Sequence, residues 1–202
     1  GAAGNRILKM GNAKADKLRK LYEAIQDDQD YRTSRMDETF VPGDGTIEDS
    51  PIVLIGEAPG KEEEKRREPF VGPAGKNLNA LLHKIGLSRD QVFVTNLVKY
   101  RPLSEKHNNR SPSTEESRKA LPYLLQELRI LDPRVVVSLG LSAAKMLLDE
   151  FHLKMESANG RFFEKHGFKI LVTYHPSPLN YAIAAKREAM EAAFNKLRQY
   201  TD

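Results

Sequence analysis

The sequence predicts an α/β fold: a three-layer α/β/α sandwich in which helices cover both faces of a central, mainly parallel, four-stranded sheet. Two observations indicate this class. Four short apolar runs lack the alternation of polar and apolar residues that marks a half-exposed strand, and segments with helical periodicity separate them. The length of 202 residues suits one hydrophobic core. We therefore expect a single domain over residues 1–202, in which residues 1–12 are a tag remnant or disordered.

The four apolar runs are the predicted strands. They read PIVLIG at 51–56, QVFVTNLV at 91–98, RVVVSLG at 134–140 and FKILVTYH at 168–175. A run of four to eight apolar residues is the usual length of a strand that is buried on both faces. Each run is followed by a loop, and the carboxyl ends of parallel strands meet at one edge of a sheet. We expect the functional site at that edge.

Helical patterns fill the segments before and between the strands. An amphipathic helix is predicted over residues 13–27, and a second over 76–86, where Gly86 suits the position after a helix end. Ser113 and Glu116 form a capping-box pattern that begins a helix ending before Pro133. Further helices are predicted over 141–150 and 180–200. Residues 28–50 are predicted to form a long loop with a turn at residues 42–45.

Composition limits the classes of function. The chain has no cysteine, which excludes disulfides, thiolate metal ligands and a cysteine nucleophile. No apolar run reaches the roughly 18 residues of a membrane span, and the N-terminus lacks the apolar segment of a secretory signal, so we expect a cytoplasmic protein without a membrane partner. The 32 basic and 28 acidic side chains leave a net charge of +4, which permits a polyanionic partner without requiring one.

The loops after the four predicted strands carry the candidate functional residues. GEAPG follows the first strand, and its glycines allow the backbone to turn closely against a ligand. A second rigid turn, PFVGPAG, presents Phe70 either to the core or to a flat ligand. Asn96 ends the second strand, and its carboxamide offers a donor and an acceptor together. His175 follows the fourth strand. The run from Glu62 to Glu64 is most simply a solvated loop.

Five segments, in this order, resemble the uracil-DNA glycosylase superfamily and are closest to its family 4. They are GEAPGKEEEKRREPFVGPAGKNL, VTNLVKYRP, NNRSPSTEE, VVVSLGLSAA and YHPSPL, and the resemblance extends over about residues 40–197. It implies a DNA repair enzyme of base excision repair, which flips deoxyuridine out of DNA and hydrolyses its N-glycosidic bond, leaving an abasic site. It also implies a monofunctional enzyme without lyase activity, acting as a monomer.

The resemblance assigns roles to individual residues. Phe70 would stack on the flipped base, Asn96 would bind the uracil edge, and His175 would donate to uracil O2 as the bond breaks. Glu63 matches the family's acidic position that orients or activates water. Further residues would line the pocket or contact DNA. The pocket residues are Glu57, Ala58 and Gly60; the DNA contacts are Lys99, Arg101, Arg110, Pro176, Ser177 and, as the intercalating wedge, Leu179.

The chain departs from family 4 at its iron-sulfur cluster. The four cluster cysteines of the family correspond to Asp28, Tyr31, Tyr100 and a position near Ala120, so we expect no cluster, no other metal and packing in its place. The arginine that precedes Pro-Phe in the family is also displaced by one position, to Arg67.

Two alternatives to uracil excision stay open at this point. A superfamily member can act on another deaminated base, hypoxanthine or xanthine. The loss of the cluster can also accompany loss of catalysis, which would leave a DNA-binding homologue.

Overall fold

The structure is a computed structural model that describes residues 12–201. The predictions made for the first eleven residues lie outside that range. Among the described residues the sheet has six strands in the order β1-β3-β2-β4-β6-β5. Their bounds are β1 Asp44–Gly45, β2 Ile52–Gly56, β3 Phe93–Asn96, β4 Val135–Leu139, β5 Phe162–Lys165 and β6 Phe168–Thr173. The predicted α/β class is confirmed.

The four predicted strands form the parallel centre of this sheet. Strands β3, β2, β4 and β6 are parallel neighbours, and every residue of β2, β3 and β4 is buried. Burial on both faces explains why these strands read as continuous apolar runs. Alternate side chains face opposite layers: Val53 and Ile55 belong to one core cluster, and Ile52 and Leu54 to the other.

The predicted count of four strands is wrong, because each edge carries a short antiparallel strand. β1 pairs with β3 through only two residues, inside the segment predicted as a turn. β5 pairs with β6 across a tight hairpin whose residues His166 and Gly167 have φ of 56° and 83°. These values suit a two-residue hairpin turn. The strand β5 was missed in the sequence because it is half-exposed and has no continuous apolar run.

Helices cover both faces of the sheet. Those at Ala13–Asp27, Thr114–Leu131, Leu141–Leu148 and Met155–Ala158 contribute to one core cluster, and those at Pro73–Lys84 and Ala184–Asn195 to the other. The predicted C-terminal helix is divided into Pro178–Ala182, Ala184–Asn195 and the 3₁₀ turn Lys196–Tyr200. Over residues 12–201, no helix has the length and apolar character required to cross a membrane.

Two helix boundaries follow the predicted capping signals. Ser113 Oγ accepts a hydrogen bond from the Glu116 amide at 3.1 Å, and Glu116 Oε1 accepts one from the Ser113 amide at 2.8 Å. Gly86 has a φ of 79° just after the helix Pro73–Lys84, as expected for a terminating glycine.

The acidic run from Glu62 to Glu64, predicted as a solvated loop, is not a loop. Lys61–Arg66 is a short helix, because the side chain of Glu63 satisfies the backbone around its start.

The order of the strands locates the crevice. From β2 the chain crosses to β3 on one side, and it then returns to β4 on the other side of β2. After β4 the chain continues to β5 and β6, on the side of β4 away from β2. The loops after β2 and β4 therefore leave in opposite directions, which opens a crevice at the carboxyl ends of the strands.

Candidate active site

A pocket of about 310 Å³ lies in this crevice. It is formed by residues from all four parallel strand ends and from the turn that contains Phe70. The lining residues are Glu57, Ala58, Phe70, Asn96, Leu139, Gly140, Leu141, Ser142 and His175. Five of the predicted site residues thus come together, although they are separated by up to 118 positions in the sequence.

Asn96 lines this pocket and carries an unsatisfied acceptor. Its residue is 3% exposed, and its Oδ1 atom is buried without a hydrogen-bond partner among residues 12–201. Leaving a buried amide oxygen unpaired costs on the order of 1–3 kcal/mol. A ligand that donates a hydrogen bond at this point would remove that cost, so the Asn96 oxygen favours a ligand with an N–H group.

A buried ion pair supports Asn96 from below. Lys99 Nζ donates to Glu127 Oε1 at 2.7 Å, to Thr95 Oγ1 at 2.8 Å and to the backbone oxygen of Asn96. Tyr22 Oη donates to the second Glu127 oxygen at 2.5 Å. Burial lowers the pKa of Lys99, and the charge of Glu127 acts in the opposite direction. The ion pair therefore ties the end of β3 to the helix Thr114–Leu131.

Phe70 forms one wall of the pocket in an unusual backbone conformation. Its φ is 53°, a left-handed value that costs a non-glycine residue roughly 1–2 kcal/mol. A Cβ atom on Gly56 would lie 2.4 Å from the Phe70 ring and 2.5 Å from Asn96 Oδ1. Only glycine at position 56 allows the ring and the amide to meet over the sheet edge.

Arg89 holds the Phe70 turn in place. Its guanidinium donates to the backbone oxygens of Pro69 and Phe70, each at 2.8 Å. Arg89 is half-buried, and this burial lowers its pKa. A Cβ atom on Gly75 would lie 1.9 Å from the Phe70 oxygen, so the following helix also requires glycine there. Arg89 was not predicted, because nothing in its local sequence indicates a contact with Phe70.

His175 faces Phe70 across the pocket. The ring centroids are 5.6 Å apart and the planes are inclined by 32°. Burial lowers the pKa of His175 below its usual value, and the charge of Glu63 opposes that shift. The imidazole is therefore neutral near pH 7 and can donate one N–H to a ligand. Asn180 Nδ2 donates to the His175 backbone oxygen at 3.0 Å, which holds the loop after β6.

Glu57, in GEAPG, and Glu63, in the short helix after it, have different positions. Glu57 lines the pocket, and no described residue within 12–201 makes a hydrogen bond or ion pair with its carboxylate. Glu63 lies outside the lining: its Oε1 accepts from the Gly60 amide at 3.0 Å, and its Oε2 accepts from the amides of Val71 and Gly72 at 3.1 and 3.0 Å. Gly60 begins the helix Lys61–Arg66 and is likewise not part of the lining.

The loop after His175 presents one apolar side chain to solvent. Leu179 is 77% exposed, on the short helix Pro178–Ala182. Ser177 caps that helix by accepting a hydrogen bond from the Asn180 amide, whereas Pro176 is buried and its carbonyl accepts from Asn77 Nδ2 at 2.9 Å. The exposed position of Leu179 suits a wedge, and Pro176 holds the loop that carries it.

The three basic residues predicted to follow the DNA backbone all have partners within the protein, and the predicted DNA contacts of Arg101 and Arg110 stay predictions. Lys99 is 1% exposed, so the prediction that it contacts DNA does not agree with the structure. Arg101 Nε donates to Asn109 Oδ1 at 2.6 Å, and Arg110 donates to both oxygens of Glu116 at 2.7 and 3.0 Å. These partners of Arg101 and Arg110 lie within eight residues in the sequence, whereas Lys99 pairs with the distant Glu127.

Aromatic packing surrounds the positions that correspond to the cluster cysteines. The Tyr31 ring lies 5.8 Å from Tyr100 and 5.6 Å from Tyr123, and Phe40 lies 5.6 Å from Tyr100. Ala120 is buried in the same core, and Asp28 accepts a hydrogen bond from Tyr123. Neither phenols nor a methyl group can replace iron-binding thiolates, so these residues do not fit an iron-sulfur cluster. Nor do the described residues contain a group of three acidic, histidine or cysteine side chains that could hold a metal ion.

Comparisons of the sequence with known proteins identify one family, and its match includes the residues of the pocket. The family model described as "Uracil DNA glycosylase superfamily" matches residues 42–198, which include every residue of the pocket lining. The chain is 36% identical over 192 residues to the type-4 uracil-DNA glycosylase of Saccharolobus solfataricus, with 91% of this chain and 86% of that protein covered.

Two further relatives bear the same name. The type-4 uracil-DNA glycosylase of Archaeoglobus fulgidus is 39% identical over 165 residues, covering 78% of this chain and 80% of that protein. That of Thermotoga maritima is 39% identical over 140 residues, covering 69% of this chain and 70% of that protein. The matches therefore extend over most of each chain.

Proposed function

The chain belongs to the uracil-DNA glycosylase superfamily, and on that premise we propose that it flips deoxyuridine out of DNA and hydrolyses its N-glycosidic bond. The observation that carries this proposal is the unpartnered Asn96 Oδ1, which is buried beside Phe70 and His175 at the edge of the sheet. An acceptor that has no donor among the described residues matches a base that carries an N–H at its pairing edge.

Asn96 would select uracil through its carboxamide. Uracil N3–H donates to Oδ1, and the amide nitrogen can donate to uracil O4. Cytosine presents an unprotonated N3 and a 4-amino group, so both bonds would become contacts between like groups. A site that is built around hydrogen bonds to its substrate rejects an analogue with the reversed pattern much more strongly than an apolar pocket can.

His175 would stabilise the leaving base. When the bond between C1′ and N1 breaks, its electron pair moves onto the uracil ring and negative charge develops at O2. A neutral imidazole has one N–H, and when that N–H is directed at O2 it stabilises the developing charge by donating a hydrogen bond. The burial that lowers the pKa of His175 supports this protonation state.

We assign the water-orienting role to Glu57 and a positioning role to Glu63. Glu57 carries the carboxylate that lines the pocket, and it can accept a proton from the water that attacks C1′. Glu63 joins Gly60 to the turn after Phe70 through three backbone hydrogen bonds, and it thereby supports the stacking position of Phe70. These amides use three of the roughly four acceptor sites of its carboxylate.

The proposed reaction stops at the abasic site. A lyase step requires an amine that forms a Schiff base with the sugar, and no lysine lines the pocket formed by the described residues. The step uses water and no metal. Leu179 would fill the space that the flipped nucleotide leaves in the DNA.

Excision from an oligonucleotide with a single uracil tests the proposal. A labelled strand is incubated with the protein in EDTA and then cleaved at abasic sites with alkali, with a thymine strand as control. Cleavage at uracil alone supports the proposal, and the absence of a borohydride-trapped adduct supports the monofunctional reaction. Cleavage of a hypoxanthine strand but not of the uracil strand would change the substrate. A folded protein that cleaves neither would contradict the proposed chemistry.

A further inference from the structure

A second, larger concavity adjoins the pocket. It has a volume of about 750 Å³ and lies between the segment after β4 and the loop after β6. We call it the flanking groove. Its lining residues are Gly140, Leu141, Lys145, Phe151, His152, Leu153, Lys154, Met155, Glu156, Tyr174, His175, Asn180 and Lys186. Gly140, Leu141 and His175 line both spaces, so a chain that leaves the pocket can continue into the groove.

The flanking groove carries excess positive charge. Lys145, Lys154 and Lys186 line it, against the single carboxylate of Glu156. Within residues 12–201, neither Lys145 nor Lys154 has a hydrogen-bond or ion-pair partner for its ammonium group. Lys186 Nζ is 3.4 Å from Asn180 Oδ1 and lies 5.5 Å from the centre of the Tyr174 ring. Two of the three cations are therefore available to an anionic ligand.

Flat side chains lie beside these cations. Phe151 is 39% exposed, which is unusual for a large apolar residue, and the Arg118 guanidinium lies 5.5 Å from its ring centre. Tyr174 is half-buried and lines the groove next to His175. A positively charged groove with accessible aromatic rings is the combination that binds single-stranded nucleic acid, because phosphates pair with the cations and bases stack on the rings.

We propose that the flanking groove binds the unpaired DNA strand next to the flipped nucleotide, with Lys145 and Lys154 at its phosphates and a base against Phe151. The proposal rests on the proposed function, because that function places the flipped nucleotide in the adjoining pocket and so defines where the strand enters the groove. Lys145 and Lys154 are not among the DNA contacts predicted from the sequence. They add positive charge beside the pocket, whereas the predicted contact Lys99 is buried.

Binding to a uracil-free single strand tests the groove separately from catalysis. The double variant Lys145→Gln/Lys154→Gln is compared with Lys17→Gln/Lys20→Gln, which removes the same charge from two exposed lysines of the helix Ala13–Asp27, outside the groove. Fluorescence anisotropy gives Kd at several salt concentrations. For the groove variant we expect Kd to rise roughly 10- to 30-fold near 0.1 M salt, and the slope of log K against log salt to fall by about 1.4. The control should stay near wild type.

Two further measurements sharpen the test. Phe151→Ala should weaken single-strand binding by about tenfold, because base stacking on an aromatic ring contributes to affinity whatever the base is. The single-turnover excision rate at saturating substrate should be unchanged in all three variants, since none of the altered residues lines the base pocket.

Some outcomes would overturn the proposal. Equal losses of affinity in the groove and control variants would show that only net charge matters. A loss that is confined to duplex DNA would exclude a single strand as the occupant. If wild-type protein excises no uracil, the proposed function fails, but the anisotropy comparison still decides whether the groove binds a single strand.

Discussion

At the scale of single residues, the site combines a buried oxygen that has no partner among the described residues with charged groups that are held by hydrogen bonds. Asn96 Oδ1 lacks a partner among the described residues, whereas the Glu63 carboxylate accepts three backbone hydrogen bonds and Lys99 is held by Glu127. Buried polar atoms are normally paired, so an unpaired one on a residue that lines the pocket is the expected mark of a ligand contact. The engaged residues hold the unsatisfied one in position.

Asn96→Asp should reduce uracil excision roughly 100- to 1,000-fold, which is the usual effect of losing one well-placed hydrogen-bond donor in a transition state. The carboxylate can still accept from N3–H, but it repels uracil O4. Single-turnover kinetics on a uracil oligonucleotide measure the loss, and circular dichroism checks the fold. A rate near that of wild type would remove Asn96 from base recognition.

Replacing the two glutamates should separate catalysis from support. Glu57→Gln should lower the excision rate and leave the free energy of unfolding nearly unchanged, because its carboxylate has no partner among residues 12–201. Glu63→Gln should destabilise the protein by about 1–3 kcal/mol, because one of its two accepting oxygens becomes a donor that faces backbone amides.

Urea unfolding and excision assays on both glutamate variants check this separation. The reverse result, a stable but inactive Glu63→Gln variant beside an active Glu57→Gln variant, would return the water-orienting role to Glu63.

At the scale of secondary structure elements, the side chain of Glu116 both caps a helix and binds a residue outside that helix. Glu116 closes the start of the helix Thr114–Leu131 and also accepts both hydrogen bonds from Arg110. Burial alone would raise the pKa of Glu116, but the bonds from Arg110 and from the Ser113 backbone lower it to about 2. One carboxylate thus caps the helix and anchors the loop before it.

Arg110→Met should make the protein less stable to acid. Because the folded-state pKa of Glu116 is about 2, below the usual 4.5, its contribution is complete above about pH 4.5 and is lost as the pH falls towards 2. Without Arg110 the carboxyl takes up a proton at higher pH. We expect a loss of about 2 kcal/mol at pH 7 and an acid unfolding midpoint at higher pH.

Circular dichroism over a pH series measures the effect of Arg110→Met. Lys119→Met is the matched control, since it removes a cation from an exposed ion pair with Glu115. Equal acid midpoints for Arg110→Met and wild type would contradict the role given to this pair.

At the scale of the whole molecule, aromatic packing occupies the region where the resemblance to family 4 implies an iron-sulfur cluster. Tyr31, Tyr100, Tyr123 and Phe40 pack at ring distances of 5.6–5.8 Å and join the loop before β1 to the helix Thr114–Leu131. Because these rings belong to the larger core cluster or pack against it, their burial holds the loop.

Tyr100→Ala should lower the free energy of unfolding by about 3–5 kcal/mol, as expected when a large buried ring leaves a cavity. Incubation of the wild type with a chelator and a reductant should leave its Tm and its excision rate unchanged. Thermal unfolding before and after chelation, together with metal analysis of the purified protein, checks this expectation. Stoichiometric iron, or a Tm that falls on chelation, would contradict it.

The sequence by itself determined the features that depend on neighbouring residues. Continuous apolar runs predicted β2, β3, β4 and β6, because burial on both faces removes the need for polar side chains. The pair Ser113 and Glu116 predicted a helix start through hydrogen bonds that span three residues. The order of the motifs at the strand ends predicted which loops meet, since the ends of parallel strands share one edge.

Tertiary structure alone decided where the charged side chains lie. Lys99, Arg89 and Glu63 are ordinary charged residues in the sequence, yet each is bound to groups brought close by the fold: the buried Glu127, the turn at Phe70 and the amides after it. The short edge strand β1 and the flanking groove also depend on such contacts. A local pattern reports the burial of a segment, whereas the partner of a long, flexible charged side chain depends on which distant segments are packed beside it.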